Sequence, residues 1–191
     1  MQPSAIWDDL RDSVAGLTEE PPIDPAALDL DAPVRANDAA LVPIRLTQAA
    51  DAPPLSDLTL VIDQNPAPVA AEYSFGPALM PLDFEVRVRV NAYSDVRAIG
   101  TQAGGGKVMA GRFVKASGGC SAPAGKDMAT VEALMGQMRW KTAQQDGRQI
   151  GTLMIRHPMF SGLQRDQVTL LNIPAMFIDR LEVRQGDELL F

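Results

Sequence analysis

The sequence predicts an all-β protein, two β-sandwich domains in tandem behind a short N-terminal helix, and three features point that way. From residue 40 onward apolar and polar residues alternate with a period of two, as half-buried strands require. The 15 prolines and 15 glycines cut the chain into many short elements. A run of small residues around Cys120, without apolar pattern, separates two such stretches.

Ser4 is placed to cap a helix whose apolar positions Ile6, Leu10 and Val14 recur every fourth residue, with Asp8 and Asp9 near its positive end and Gly16 closing it. Thr18–Pro25, rich in proline and acid, reads as a linker, so residues 1–24 form a lead-in. Strands are then expected where Val42, Ile44 and Leu46 alternate with Pro43, Arg45 and Thr47, and where Leu58, Leu60 and Ile62 alternate with Asp57, Thr59 and Val61. Leu82–Val90 is the cleanest alternation, with Asp83, Glu85, Arg87 and Arg89 on one wet face. Tyr73–Phe75, Ser94–Gln102 and Lys107–Lys115 complete a first sandwich over residues 25–116.

Residues 117–131 read as a flexible linker that carries the cysteine. Strand patterning resumes at Met138, Trp140 and Thr142, continues through Gln149–Arg156 and returns at Phe177–Arg184, with Leu181 and Val183 expected to face inward. A turn at Gln185-Gly186-Asp187 precedes a last strand beginning at Glu188. A seven-stranded sandwich takes about 100 residues. The second domain, 132–191, is therefore expected to be incomplete, with an exposed sheet edge able to pair with a second copy.

A formal net charge of −7 argues against nucleic acid, whose phosphates demand clustered Lys and Arg. No apolar run is long enough for a membrane span, and no signal peptide is evident at the N-terminus. One His and one Cys cannot furnish the soft ligands of a zinc site, so neither metal nor cofactor is expected. Thr101–Val108 ends a glycine run in Lys107, but Thr101 and Val108 stand where a phosphate loop needs Gly and Ser or Thr. A hairpin turn accounts for it.

Two residues remain as candidates for chemistry. Cys120 lies between Gly118, Gly119, Ser121 and Ala122, with no bulky neighbour to draw it into a core, which favours an exposed, usable thiol over a buried one. His157, between Arg156 and Pro158 at the end of an apolar strand, suits a structural or interface histidine and is only a second-choice base.

In the first half, Asp63-Gln64-Asn65-Pro66-Ala67-Pro68, Phe75-Gly76-Pro77 and Gly118-Gly119-Cys120 resemble the SoxY sulfur carriers. In the second, Ile155-Arg156-His157-Pro158-Met159 with Gly162-Leu163 resembles SoxZ. Together the chain looks like the fused SoxYZ-like carriers associated with quinoprotein dehydrogenases. The resemblance implies two immunoglobulin-like sandwiches, Cys120 as the covalent attachment point for cargo, Gly118, Gly119 and Ser121 as its flexible arm, and the portion after about Glu132 as scaffold.

It further implies a periplasmic location, no enzymatic activity, and redox partners of the cytochrome c or quinoprotein dehydrogenase type. A homodimer through the sheet edge or Cys120 is a further expectation. The family's free Gly-Gly-Cys-Gly-Gly tail differs from this chain, where Ser121-Ala122-Pro123 and another domain follow the cysteine. The alternatives are a thiol-dependent sulfurtransferase using Cys120 and His157, and a non-catalytic periplasmic adaptor with an incidental cysteine.

Overall fold

The structure is a computed structural model that describes residues 5–117, 133–145, 147–166 and 169–191. It divides into two compact units, one of Met1–Cys120 with Leu181–Phe191 and one of Ser121–Arg180.

The first unit is a β-sandwich. Strands β1 (Asp29–Asp31), β2 (Val42–Thr47) and β5 (Asp83–Val88) form one antiparallel sheet in the order β1-β2-β5. The other contains β3 (Leu55–Ile62), β4 (Val69–Ser74), β6 (Ser94–Gln102) and β7 (Lys107–Val114) in the order β4-β3-β6-β7. Alternation decides which side chains meet between the layers. Val42, Ile44 and Leu46 from one sheet face Leu58, Leu60 and Ile62 from the other, all at 2% exposure or less. Burying such side chains contributes about 1.5–3 kcal/mol each.

Helix α1 (Ala5–Ala15) covers the outer face of the four-stranded sheet. Its buried residue is Trp7, packed with Leu10, Leu17, Val61, Ile99 and Met109, whereas Ile6 is 40% exposed. Leu10 keeps its place in the expected stripe, but Ile6 gives way to Trp7, because the indole removes more apolar surface from water than an isoleucine does. This also corrects the reading of Val61 as a wet-face residue: under the helix it is fully buried. The Thr18–Pro25 stretch is tied to the sheet, with the Met109 N–H donating to the Pro22 carbonyl at 3.0 Å.

Two short strands, β10 (Arg184–Gln185) and β11 (Glu188–Leu189), form a hairpin around Gly186 in the same unit. Phe177–Val183 is not a strand, contrary to its alternation, and Phe177 and Leu181 are 53% and 38% exposed. Alternation makes a strand only where a neighbouring backbone takes its hydrogen bonds. Here the ladder begins at Arg184, and just ahead of it Val183 exchanges backbone bonds with Leu190 and Phe191.

In the second unit, β8 (Met138–Gln145) pairs antiparallel with β9 (Arg148–Ile155). Trp140 lies so close over Gly151 that a Cβ there would stand 2.5 Å from the indole, which is why a residue without a side chain occupies the position. Beyond this ladder, the described residues of the unit contain two isolated bridges, Phe160 with Met176 and Arg165 with Asn172.

Candidate functional site

The last described residues before the cysteine segment are fixed to the sandwich. β7 continues past Val114 into Lys115, whose N–H donates to the Val34 carbonyl at 2.9 Å and whose carbonyl accepts from the Ala36 N–H at 3.1 Å. These two bonds make Arg35 and Lys115 a parallel bridge. Ala116 then tucks into the core at 5% exposure, and Ser117 is exposed. Cys120, Gly118, Gly119 and Ser121 lie outside the described residues.

The Asp63-Gln64-Asn65 sequence sits at this same end. The Asp63 N–H donates to the Asp95 carbonyl at 3.1 Å and the Gln64 N–H to Ser94 Oγ at 3.1 Å, while Ser94 lies in register with Val114. Asn65 spans the two sheets: its Nδ2 donates to the Arg89 carbonyl at 2.8 Å, and its Oδ1 accepts from the Asn91 N–H at 2.9 Å. Three consecutive residues thereby pin the start of β6 and the end of the β5 segment beside the root of the cysteine segment.

Asp63 also binds Arg97. Arg97 Nε and Nη2 donate to its two carboxylate oxygens at 3.0 Å each, and both side chains are 2% exposed. Asp95 Oδ2 lies 3.6 Å from Nη2, Glu20 Oε1 lies 3.8 Å from Nη1, and the guanidinium stacks over the Trp7 ring at 4.4 Å. Sequence reading passed over Arg97. The available signal was a cation between Val96 and Ala98 in an otherwise apolar strand, where only a buried counter-charge makes it tolerable.

Phe75-Gly76-Pro77 occupies the opposite end of the sandwich, since β4 pairs Val69 with Val61 at its start and Ser74 with Asp57 at its finish. The Gly76 N–H donates to the Leu190 carbonyl at 2.9 Å, and a methyl group at Gly76 would collide with the Leu189 carbonyl. That close approach lets Phe191 join Tyr73 and Phe84 in edge-to-face contacts at 6.5 and 5.1 Å. Burial pushes the Tyr73 phenol up to about 12.

His157 lies in the second unit, half-buried, with Nδ1 accepting the Met159 N–H at 3.1 Å. Met159 has φ of 53°, so the ring nitrogen holds a turn that a non-glycine residue rarely adopts. Among the described residues, no group of three or more His, Cys, Asp and Glu is arranged to hold a metal ion.

The family model "Sulfur oxidation protein SoxY" matches residues 14–120, and "Sulphur oxidation protein SoxZ" matches residues 138–191. No curated protein matches. Among solved structures, the sulfur carrier protein SoxY from Chlorobium limicola f. thiosulfatophilum is 26% identical, covering 56% of this chain and 96% of its own, with a TM-score of 0.45. Two variants of a superoxide reductase (neelaredoxin) from Ignicoccus hospitalis are 15% and 14% identical, covering 48% and 56% of this chain and 82% and 90% of theirs, each with a TM-score of 0.40. The SoxY match takes in more than half of the chain, which therefore belongs to the SoxY family of sulfur oxidation proteins, with a SoxZ-type region following in the same polypeptide.

Proposed function

We propose that the protein is a non-catalytic carrier that holds sulfur-containing intermediates covalently on Cys120 and offers them to redox proteins of the periplasm, of the cytochrome c or quinoprotein dehydrogenase type. The observation that carries this reading is the SoxY match, which runs through the sandwich and ends on Cys120 itself. In support, the backbone is clamped up to Ala116 by Val34, Ala36 and the core, so the sandwich acts as a handle for the residues that follow. Gly118, Gly119 and Ser121 form the arm in this reading. The SoxZ-type region serves as scaffold, and His157 contributes a turn rather than a base.

The carriage step needs no metal. The Cys120 thiolate attacks an inner sulfur of tetrathionate; a Cys–S bond forms, the central S–S bond breaks, and thiosulfate leaves with the electron pair. Intact-mass measurement after tetrathionate treatment should show one added thiosulfate-derived group, removed by a thiol reductant and missing from Cys120→Ser. A wild-type thiol that stays unmodified would sink the reading.

A further inference from the structure

Resting on the carrier reading, we infer that the root end of the sandwich is a docking surface for a partner protein presenting an acidic patch, centred on Arg35 and Lys115 and flanked by Val34 and Tyr93. Parallel bridge partners stand about 4.8 Å apart with their side chains on one face, so the bridge sets two cations side by side. Like charges opposed across a ladder are destabilising. Neither residue has a carboxylate within ion-pair distance among the described residues, although the chain as a whole carries a net charge of −7.

The surroundings decide the kind of occupant. Val34 is 71% exposed, and Tyr93, which the Ser94–Val114 register places level with Lys115, is 51% exposed. A site for a free oxyanion would withdraw its donors from water, whereas Arg35 is exposed and Lys115 only half-buried. Arginine and tyrosine are enriched at protein interfaces. Positive charge with no carboxylate paired to it among the described residues speeds encounter with an acidic surface and sets its orientation. A partner docked on these residues stands beside Ser117, where the cysteine-bearing segment leaves the described sandwich.

The test titrates a labelled octaglutamate peptide into the full chain carrying Cys120→Ser, which makes the result independent of whether Cys120 takes cargo. Backbone amide shifts should concentrate at residues 34–36, 93 and 115. Arg35→Glu with Lys115→Glu should weaken binding by about tenfold or more, and high salt should abolish it. Arg87→Glu, an exposed cation on β5, should change it less than about twofold. Equal losses in both variants, shifts elsewhere, or inorganic sulfate binding the same residues more tightly than the peptide would each overturn the proposal.

Discussion

Arg97 and Asp63 form a two-pronged ion pair, 3.0 Å at each contact, in which both side chains are 2% exposed. The pair joins β6 to the turn at the root of the cysteine segment, and Trp7 closes over it from the helix. Removing one partner strands a charge away from water, which costs about 3–5 kcal/mol, while replacing both with apolar residues of similar size is often neutral. Asp63→Asn should therefore lower the urea-unfolding free energy by up to about that amount, and the triple variant Asp63→Leu, Asp95→Leu and Arg97→Met, which also removes the buried Asp95 carboxylate beside Arg97, should lose much less. A triple variant as unstable as the single one would show that the ion pairs themselves, rather than the satisfied burial, provide the stability.

Asn65→Ala removes one donor and one acceptor that bridge the sheets, leaving the Arg89 carbonyl and the Asn91 N–H to find water. A cost of about 1–3 kcal/mol is expected. Hydrogen exchange at the Asn91 amide should accelerate accordingly, and Asn65→Asp, which keeps the acceptor, should fall between wild type and alanine.

Tyr73 gives a pH dependence. Its ordinary value is 10.0 and burial in the folded chain raises it to about 12, so the unfolded chain releases this proton first. The stability gained from burying the neutral phenol is complete below pH 10 and is lost as pH rises through about 12. Two pH units amount to about 2.7 kcal/mol. The difference in unfolding free energy between wild type and Tyr73→Phe should stay constant up to about pH 10 and then shift by roughly that amount against wild type. A constant difference throughout would show that Tyr73 ionises as readily as it does in the unfolded chain.

Gly76→Ala should dislodge Leu189–Phe191, because the added methyl meets the Leu189 backbone, which no side-chain rotation can move aside. Hydrogen exchange at the Gly76 amide, which donates to the Leu190 carbonyl, should then be faster than in wild type, with a loss of about 1–3 kcal/mol in overall stability. Unchanged exchange would mean that the Gly76–Leu190 bond does not hold Leu189–Phe191 in place.

Most strands of the first sandwich were legible from local pattern: β2 and β5 follow directly from the period of two in Val42–Thr47 and Leu82–Val90, and β6 from the turn residues that bound Ser94–Gln102. What escaped depended on residues far away in sequence. Trp7 outcompeted Ile6 for the sheet, Val61 was dried by the helix above it, and Phe177–Val183 alternates without forming a described strand, the ladder starting only at Arg184. At the root of the cysteine segment, Asp63-Gln64-Asn65 was recognisable as a pattern. Its work was not, because Ser94, Asp95, Arg97, Arg89 and Asn91, which it holds, lie some 24 to 34 positions further along the chain.

The bond from Gly76 to Leu190 and the seat of Phe191 against Tyr73 and Phe84 mean that the polypeptide goes out to its second unit and comes home to its first. The boundary between the SoxY-matched and SoxZ-matched stretches is thus no clean line of cleavage: a single cut between them separates neither piece cleanly, since the latter half takes part of the former's aromatic filling with it. Expressed apart, the front half would lose Phe191 from beside Tyr73 and Phe84 at the end of its β4 strand.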